Sequence, residues 1–196
     1  AYSLASKEIR TVFMEYTDLI EPLSLDEAFL DVTENKMGIE HATEVAQLIK
    51  TAIFERTGLT CSAGVSYCKF LAKVASDMNK PDGMTIIKPK QAIIFLEKLP
   101  IDKFFGVGKV TSEKMKRLGI ETGADLKSWS KIGLAKRFGK LGLHFYDIVR
   151  GIDNRPVRND RKRKSLGIER TLNEDLTDLE DIKVILLDLI PKFMVR

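Results

Sequence analysis

Apolar positions along the first hundred residues fall into alternating periods of about 3.6 and 2. Residues 3–16 place Leu4, Ile9, Val12, Phe13 and Tyr16 on one stripe, with Lys7, Glu8, Arg10 and Glu15 outside it. That spacing predicts an amphipathic core helix. Val45, Leu48, Ile49, Ala52 and Ile53 predict a second helix over 41–57, ended by Gly58. A third, over 67–79, buries Phe70, Leu71, Val74 and Met78 and stops at Pro81-Asp82-Gly83. Shorter β-rich stretches lie between them: 17–23 and 28–33, expected to pair as a hairpin, then 59–65 and 84–87. A helix opened by Pro89 runs to about 98. Helices alternating with strands predict an α+β fold, an antiparallel sheet with helices on one face.

The pattern changes at Pro100. Phe104-Phe105-Gly106-Val107-Gly108-Lys109 predicts a tight Gly-x-Gly turn opening a helix from Lys109 to Leu118, closed by Gly119. A short helix follows at 124–129. A related turn, Arg137-Phe138-Gly139-Lys140-Leu141-Gly142, precedes a helix carrying Phe145, Ile148 and Val149 and ending at Gly151. Paired glycines let main-chain N–H groups converge on an anion at a helix N-terminus. Such a site takes phosphate without reading bases, and φ at Gly108 is expected to be positive. A Gly-x-Gly alone is equally a plain helix–helix turn. Residues 152–164 read as a basic tether, with Arg155, Arg158, Arg161, Lys162, Arg163 and Lys164. A new strand is expected from Ser165 to Thr171, and a last helical stripe runs over 178–196 through Leu179, Ile182, Ile185, Leu186 and Leu189. The expected organisation is 1–99, 100–151, the tether 152–164, and 165–196.

Charge sharpens this division. The net charge of +4 conceals 5 basic and 11 acidic residues in 1–60 against 24 and 11 in 61–170. An acidic block beside a basic one points to a metal-binding part and a polyanion-binding part. Cys61 and Cys68, the two cysteines, fit no zinc or redox spacing and are expected as reduced thiols of a cytoplasmic protein. No apolar run is long enough to span a bilayer, so no membrane role is expected.

The candidate chemistry begins in Leu23-Ser24-Leu25-Asp26-Glu27-Ala28-Phe29-Leu30-Asp31-Val32. Asp26 and Glu27 fall where a bend enters a strand, so they face opposite sides. A charged Asp beside Leu25 and Ala28 is costly unless a cation holds it, and a divalent metal is the commonest such cation. An Asp-Glu pair at a turn is, taken by itself, usually solvated. Ser24 is expected as a turn residue. Lys80, at the end of the third helix, reads as a cation favoured by the helix dipole, and Lys69 and Lys73 read as solvated helix charges.

Taken whole, the string from Ser24 to Val32 resembles the palm motif of Y-family, lesion-bypass DNA polymerases, most closely the bacterial DNA polymerase IV (DinB) branch. Lys69-Phe70-Leu71-Ala72-Lys73-Val74-Ala75-Ser76-Asp77-Met78-Asn79-Lys80-Pro81 is close to the same pattern. The Gly106–Gly108 region resembles a helix-hairpin-helix unit of the thumb, with Phe105 where the family usually has proline. Ser165 to Thr171 resembles the first strand of the little-finger domain. From Tyr2 to about Arg170 these motifs keep the family's order.

The resemblance implies template-directed nucleotidyl transfer from a dNTP to a primer 3′-hydroxyl. It implies two Mg²⁺ ions, with Mn²⁺ as a substitute, and two-metal chemistry of this kind places the cations about 3.5–4 Å apart. Asp26 would bridge both ions, Glu27 would hold the primer-side ion, and Lys80 would contact the triphosphate. Gly106, Gly108, Lys109, Arg161, Lys162, Arg163 and Lys164 would contact primer-template DNA. A sliding clamp is expected as a further partner, the protein itself being a monomer in the bacterial cytoplasm. The family's other metal-binding aspartate, its fingers and most of its little finger have no counterpart in the chain. A partial palm and thumb, inactive alone, is therefore expected. Two other classes compete: a palm-like nucleotide cyclase, which needs no basic hairpins, and a non-catalytic helix-hairpin-helix DNA-binding protein with a structural acidic pair.

Overall fold

A computed structural model of the chain describes residues 2–160 and 165–194. It divides into two compact units, Ala1–Asn159 and Asp160–Arg196.

In the first unit, α1 (Tyr2–Tyr16) packs on α2 (Ala42–Thr57) through Val12, Tyr16, Val45, Ile49 and Ile53. The left-handed φ of +68° at Gly58 ends α2, and the Gly58 N–H donates to the Phe54 carbonyl. Leu4 and Leu48, expected inside, are 70% and 39% exposed, because only the middle of each stripe meets the other helix. The expected hairpin forms over a shorter span: β1 (Ile20–Pro22) runs antiparallel to β2 (Ala28–Leu30), pairing Ile20 with Leu30, Glu21 with Phe29 and Pro22 with Ala28.

The second strand pair departs from expectation. β3 (Ala63–Ser66) and β4 (Met84–Ile87) are parallel, with Ala63 opposite Met84 and Ser66 opposite Ile87. The reason is α3 (Lys69–Met78), which crosses over between them and returns the chain in the same direction. The α+β class stands, with one antiparallel and one parallel pair among the described residues. α3 lies directly on β3: a Cβ at Gly64 would come within 1.9 Å of the Ala72 carbonyl oxygen. Phe70, Leu71 and Val74 are buried as expected, but Met78 lies at the helix end and is 52% exposed.

A larger core continues from α3 and α4 (Pro89–Lys98) across Pro100 into α5 (Lys109–Arg117), α6 (Gly123–Ser128), α7 (Lys131–Phe138) and α8 (Lys140–Ile148). Phe70 of α3 and Phe104 pack in a tilted pair with ring centroids 5.5 Å apart. The Gly123 N–H donates to the Leu99 carbonyl, joining the two sides of Pro100, and beside it the Ile101 N–H donates to the Glu121 carbonyl.

Residues 152–159 are not a loose tether. Asp153 accepts from the Phe70 N–H, Glu21 accepts from the Arg158 N–H, and the Asn159 side chain donates to the Asp18 carbonyl. The sequence shows the basic charges of this segment, but not the acidic and carbonyl acceptors that other elements present to it.

In the second unit α9 (Leu179–Met194) buries none of its residues, and Arg170 pairs with Asp188 at 3.4 Å. The strand expected over Ser165–Thr171 does not form. An extended segment becomes a strand only against a partner that takes its backbone hydrogen bonds in a ladder, and no described strand pairs with it.

Candidate active site and nucleic-acid interface

The site is built from the bend before β2. The Ser24 hydroxyl donates to Asp26 Oδ1 at 2.6 Å and accepts from the N–H groups of Asp26 and Glu27 at 3.3 and 3.1 Å. The Leu23 and Ser24 N–H groups both donate to the Glu27 carbonyl, closing the turn. Ser24 is thus the turn residue expected, and it also orients the Asp26 carboxylate.

Asp26 itself is exposed, so the desolvation cost argued from its apolar neighbours does not arise. Its carboxyl is held below the ordinary range chiefly by the Ser24 hydroxyl. Partial burial of the carboxyl opposes this, and its own N–H, the Tyr2 hydroxyl and the Lys80 charge add to the lowering. An ionised, accessible oxygen remains at the end of β2.

Glu27 is half-buried, and its Oε1 lies 3.2 Å from the Lys73 ammonium. Lys73 also bonds Asp77 Oδ2 at 2.7 Å, and Asp77 Oδ1 takes Lys80 at 2.6 Å. Glu27, Lys73, Asp77 and Lys80 therefore form one chain of alternating charge. The solvated reading of Lys69 and Lys73 is wrong: their side chains are 10% and 11% exposed. Lys69 pairs with Glu21 at 2.5 Å and lies 5.1 Å over the Phe29 ring. Burial alone would lower the Lys73 pKa, but its bonds to Asp77 and Glu27 turn the net shift upward. Burial likewise opposes ionisation of Asp77, and the bonds from Lys73 and Lys80 bring it below its ordinary value. The readable signal was the spacing of Lys69, Lys73, Asp77 and Lys80 along one helical face, with Glu21 and Glu27 flanking the hairpin opposite.

The turn that follows Lys80 is pinned from α2. Lys50 reaches from α2 to donate to the Cys61 carbonyl, and to the carbonyl and carboxylate of Asp82 at 3.0 and 2.6 Å. Tyr2, Asp26, Glu27, Lys73 and Lys80 all line one cavity of about 470 Å³, walled by the hairpin, α1, α2 and β3. Among the described residues no group of three or more His, Cys, Asp or Glu converges on a metal position. The donor chemistry fits a hard divalent cation that keeps waters and substrate phosphates as its other ligands, with two carboxylates supplied from this chain.

At the second predicted site, Gly106 takes the left-handed region (φ +92°), while Gly108 is extended (φ −77°, ψ 171°) and caps α5. The positive φ expected at Gly108 therefore belongs to Gly106. A Cβ at Gly108 would meet nothing within 4 Å, so no neighbour within the protein demands glycine there. Lys109 opens α5 beside it, exposed. The second hairpin forms between α7 and α8 around Gly139 at φ +59°. Arg161, Lys162, Arg163 and Lys164 lie outside the described residues.

Comparison with known proteins bears on both sites. Residues 1–77 match the impB/mucB/samB family, and residues 102–153 match the family described as DNA polymerase-iota, thumb domain. DNA polymerase IV 2 of Agrobacterium fabrum is 59% identical over 179 residues, covering 91% of this chain and 50% of that protein. DNA polymerase IV of Listeria welshimeri is 55% identical over 177 residues, with 90% and 50% covered. A Dbh-based Y-family DNA polymerase chimera superimposes with a TM-score of 0.89 at 34% identity, over 100% of this chain and 57% of the other. The chain belongs to the DinB-like Y-family of DNA polymerases.

This Y-family chain spans about half the length of the curated relatives it matches. An insertion ternary complex of Dbh DNA polymerase also resembles it, with a TM-score of 0.75 at 35% identity over 81% of this chain and 46% of that one. Membership in the family implies use of divalent metal. None of its described helices is long and apolar enough to cross a membrane.

Proposed function

We propose that the chain is the palm-and-thumb part, residues 1–99 and 100–151, of a bacterial translesion DNA polymerase that transfers a nucleotide from dNTP to a primer 3′-hydroxyl. The observation carrying this reading is that Asp26, Glu27 and Lys80 line one cavity, with Glu27 linked to Lys80 through Lys73 and Asp77. Asp26 and Glu27 would hold magnesium, with manganese as a substitute. The ions would activate the primer oxygen and steady the departing phosphate. Lys80 is poised to exchange Asp77 for a triphosphate oxygen, and Asp26, kept ionised by Ser24, is ready to bind cations at neutral pH. Gly106, Gly108 and Lys109 present the α5 N-terminus to a DNA phosphate, with Arg161, Lys162, Arg163 and Lys164 adding charge. The match over 102–153 to a polymerase thumb disfavours a nucleotide cyclase, which has no use for one. A sliding clamp and a monomeric cytoplasmic state belong to the same reading.

The test is Asp26→Asn in the full-length polymerase that carries this chain. Nucleotide incorporation should be nearly abolished while binding to primed DNA survives. Activity within a few-fold of wild type would remove Asp26 from the metal site.

A further inference from the structure

We propose that Lys73 is the positioning residue of Glu27, and that Phe105 couples it to the thumb hairpin, so that one ammonium joins the carboxylate site to the phosphate-facing turn. This rests on the polymerase reading above for the role of Glu27.

The geometry gives Lys73 a fixed place independent of Glu27. Its side chain is 11% exposed, and a cation so far out of water must be met by partners. Asp77, one helical turn along α3, takes the ammonium at 2.7 Å and is braced on its other oxygen by Lys80 at 2.6 Å. The ammonium also lies 5.7 Å from the centroid of the Phe105 ring, within cation–π range. Two interactions that do not involve Glu27 therefore locate it. The 3.2 Å bond from Lys73 to Glu27 Oε1 then orients a carboxylate that stands on a bend and is otherwise free to turn. That bond engages Oε1, so the proposal assigns the cation to Oε2.

Phe105 extends the arrangement to the thumb. It directly precedes Gly106, whose φ of +92° sets the turn into α5. A shift of that turn when it meets a DNA backbone moves the ring, and the ring bears on Lys73. A proline at 105, the residue usual in the family's pattern, offers no π face to the ammonium.

Two measurements test the proposal. In the 196-residue chain, Lys73 is observed through its ¹⁵N–¹H ammonium signal. Phe105→Leu should remove a ring-current shift from that signal, and Glu27→Gln should speed its exchange with water. An ammonium signal unmoved by both changes would overturn the geometry. In the full-length polymerase, Lys73→Gln should lower kcat by about ten- to a hundred-fold, the usual effect of losing a group that orients a metal ligand. Apparent dNTP affinity, primed-DNA affinity and melting temperature should hold near wild type. Lys73→Arg should restore much of the rate, and Phe105→Leu should cost about two- to five-fold. The role fails if Lys73→Gln incorporates nucleotide like wild type. It also fails if Gln and Arg lose rate equally and both unfold early, which marks a purely structural lysine. Asp26→Asn run in parallel separates the two levels. An active Asp26→Asn overturns the polymerase site itself, whereas an inactive Asp26→Asn beside a fully active Lys73→Gln overturns only the positioning role.

Discussion

Asp153→Ala should destabilise the first unit far more than a typical change in a connecting segment. α3 begins after Cys68, which gives no side-chain cap, and the cap comes instead from Asp153, 83 residues beyond the Phe70 whose N–H it accepts. Its Oδ2 accepts the Phe70 N–H at 2.9 Å. The Arg155 guanidinium adds bonds of 2.6 Å to Oδ1 and 2.8 Å to Oδ2. The Asp153 side chain is 2% exposed, while Arg155 is 47% exposed and returns to water when its partner is removed. Losing a helix cap costs about 1 kcal/mol, and losing a charge-assisted bond to a largely buried donor costs roughly 1.5–3 kcal/mol. The exposed half of the ion pair adds about 0–1 kcal/mol. These overlap, because one carboxylate makes all three interactions, so we expect about 2–3 kcal/mol in total. Trp129, the single tryptophan, packs against the larger core and reports urea unfolding of this unit. The urea midpoint should fall with an unchanged slope. Asp153→Asn, which keeps an acceptor but no charge, should lie between the two.

The pH dependence has a definite sign. Burial opposes ionisation of Asp153, but Arg155 and the Phe70 N–H outweigh it and hold the carboxyl below its ordinary value. A group whose pKa is depressed on folding stabilises fully above its unfolded pKa, near 3.9 for Asp, and loses that contribution as pH falls through the folded value. Wild type and Asp153→Ala should therefore differ most near neutrality and converge only below about pH 4. A difference below about 0.5 kcal/mol at pH 7 would refute the capping account.

The remaining predictions concern ligands. Lys80→Ala should weaken apparent dNTP binding and slow transfer with little change in affinity for primed duplex, as steady-state incorporation and duplex titration would show; a lysine serving only the helix end would leave the kinetics normal. Gly108→Val should fold at a cost of no more than about 1 kcal/mol, since a side chain there meets open space, yet bind duplex more weakly at every salt concentration. Neutralising Arg161, Lys162, Arg163 and Lys164 should instead flatten the salt dependence, by up to about 0.9 in logarithmic slope for each DNA phosphate that is no longer neutralised. Gly108→Val that binds like wild type would reduce the hairpin to a turn.

Local pattern alone determined most of the elements. The stripes of α1, α2 and α3, the hairpin at Asp26 and Glu27, and the Gly106–Gly108 turn are all short-range features, set by side-chain period and by glycine's access to positive φ. Asp26, Glu27 and Lys80 stood out as candidates because an ordered string of residues carries them. What the tertiary structure decided is everything that depends on a partner distant in sequence. The parallel pairing of β3 and β4 follows from where α3 lies, not from the composition of either strand. Lys69 and Lys73 look like surface charges in any window of ten residues, yet they are covered because Glu21, Glu27 and Phe105 arrive from other elements. Basic charge over 152–159 suggests a solvated tether until Glu21 and the start of α3 offer it hydrogen-bonding partners. Period and turn chemistry act within a few residues, whereas burial and ion pairing depend on three-dimensional neighbours, and only the folded chain brings those together.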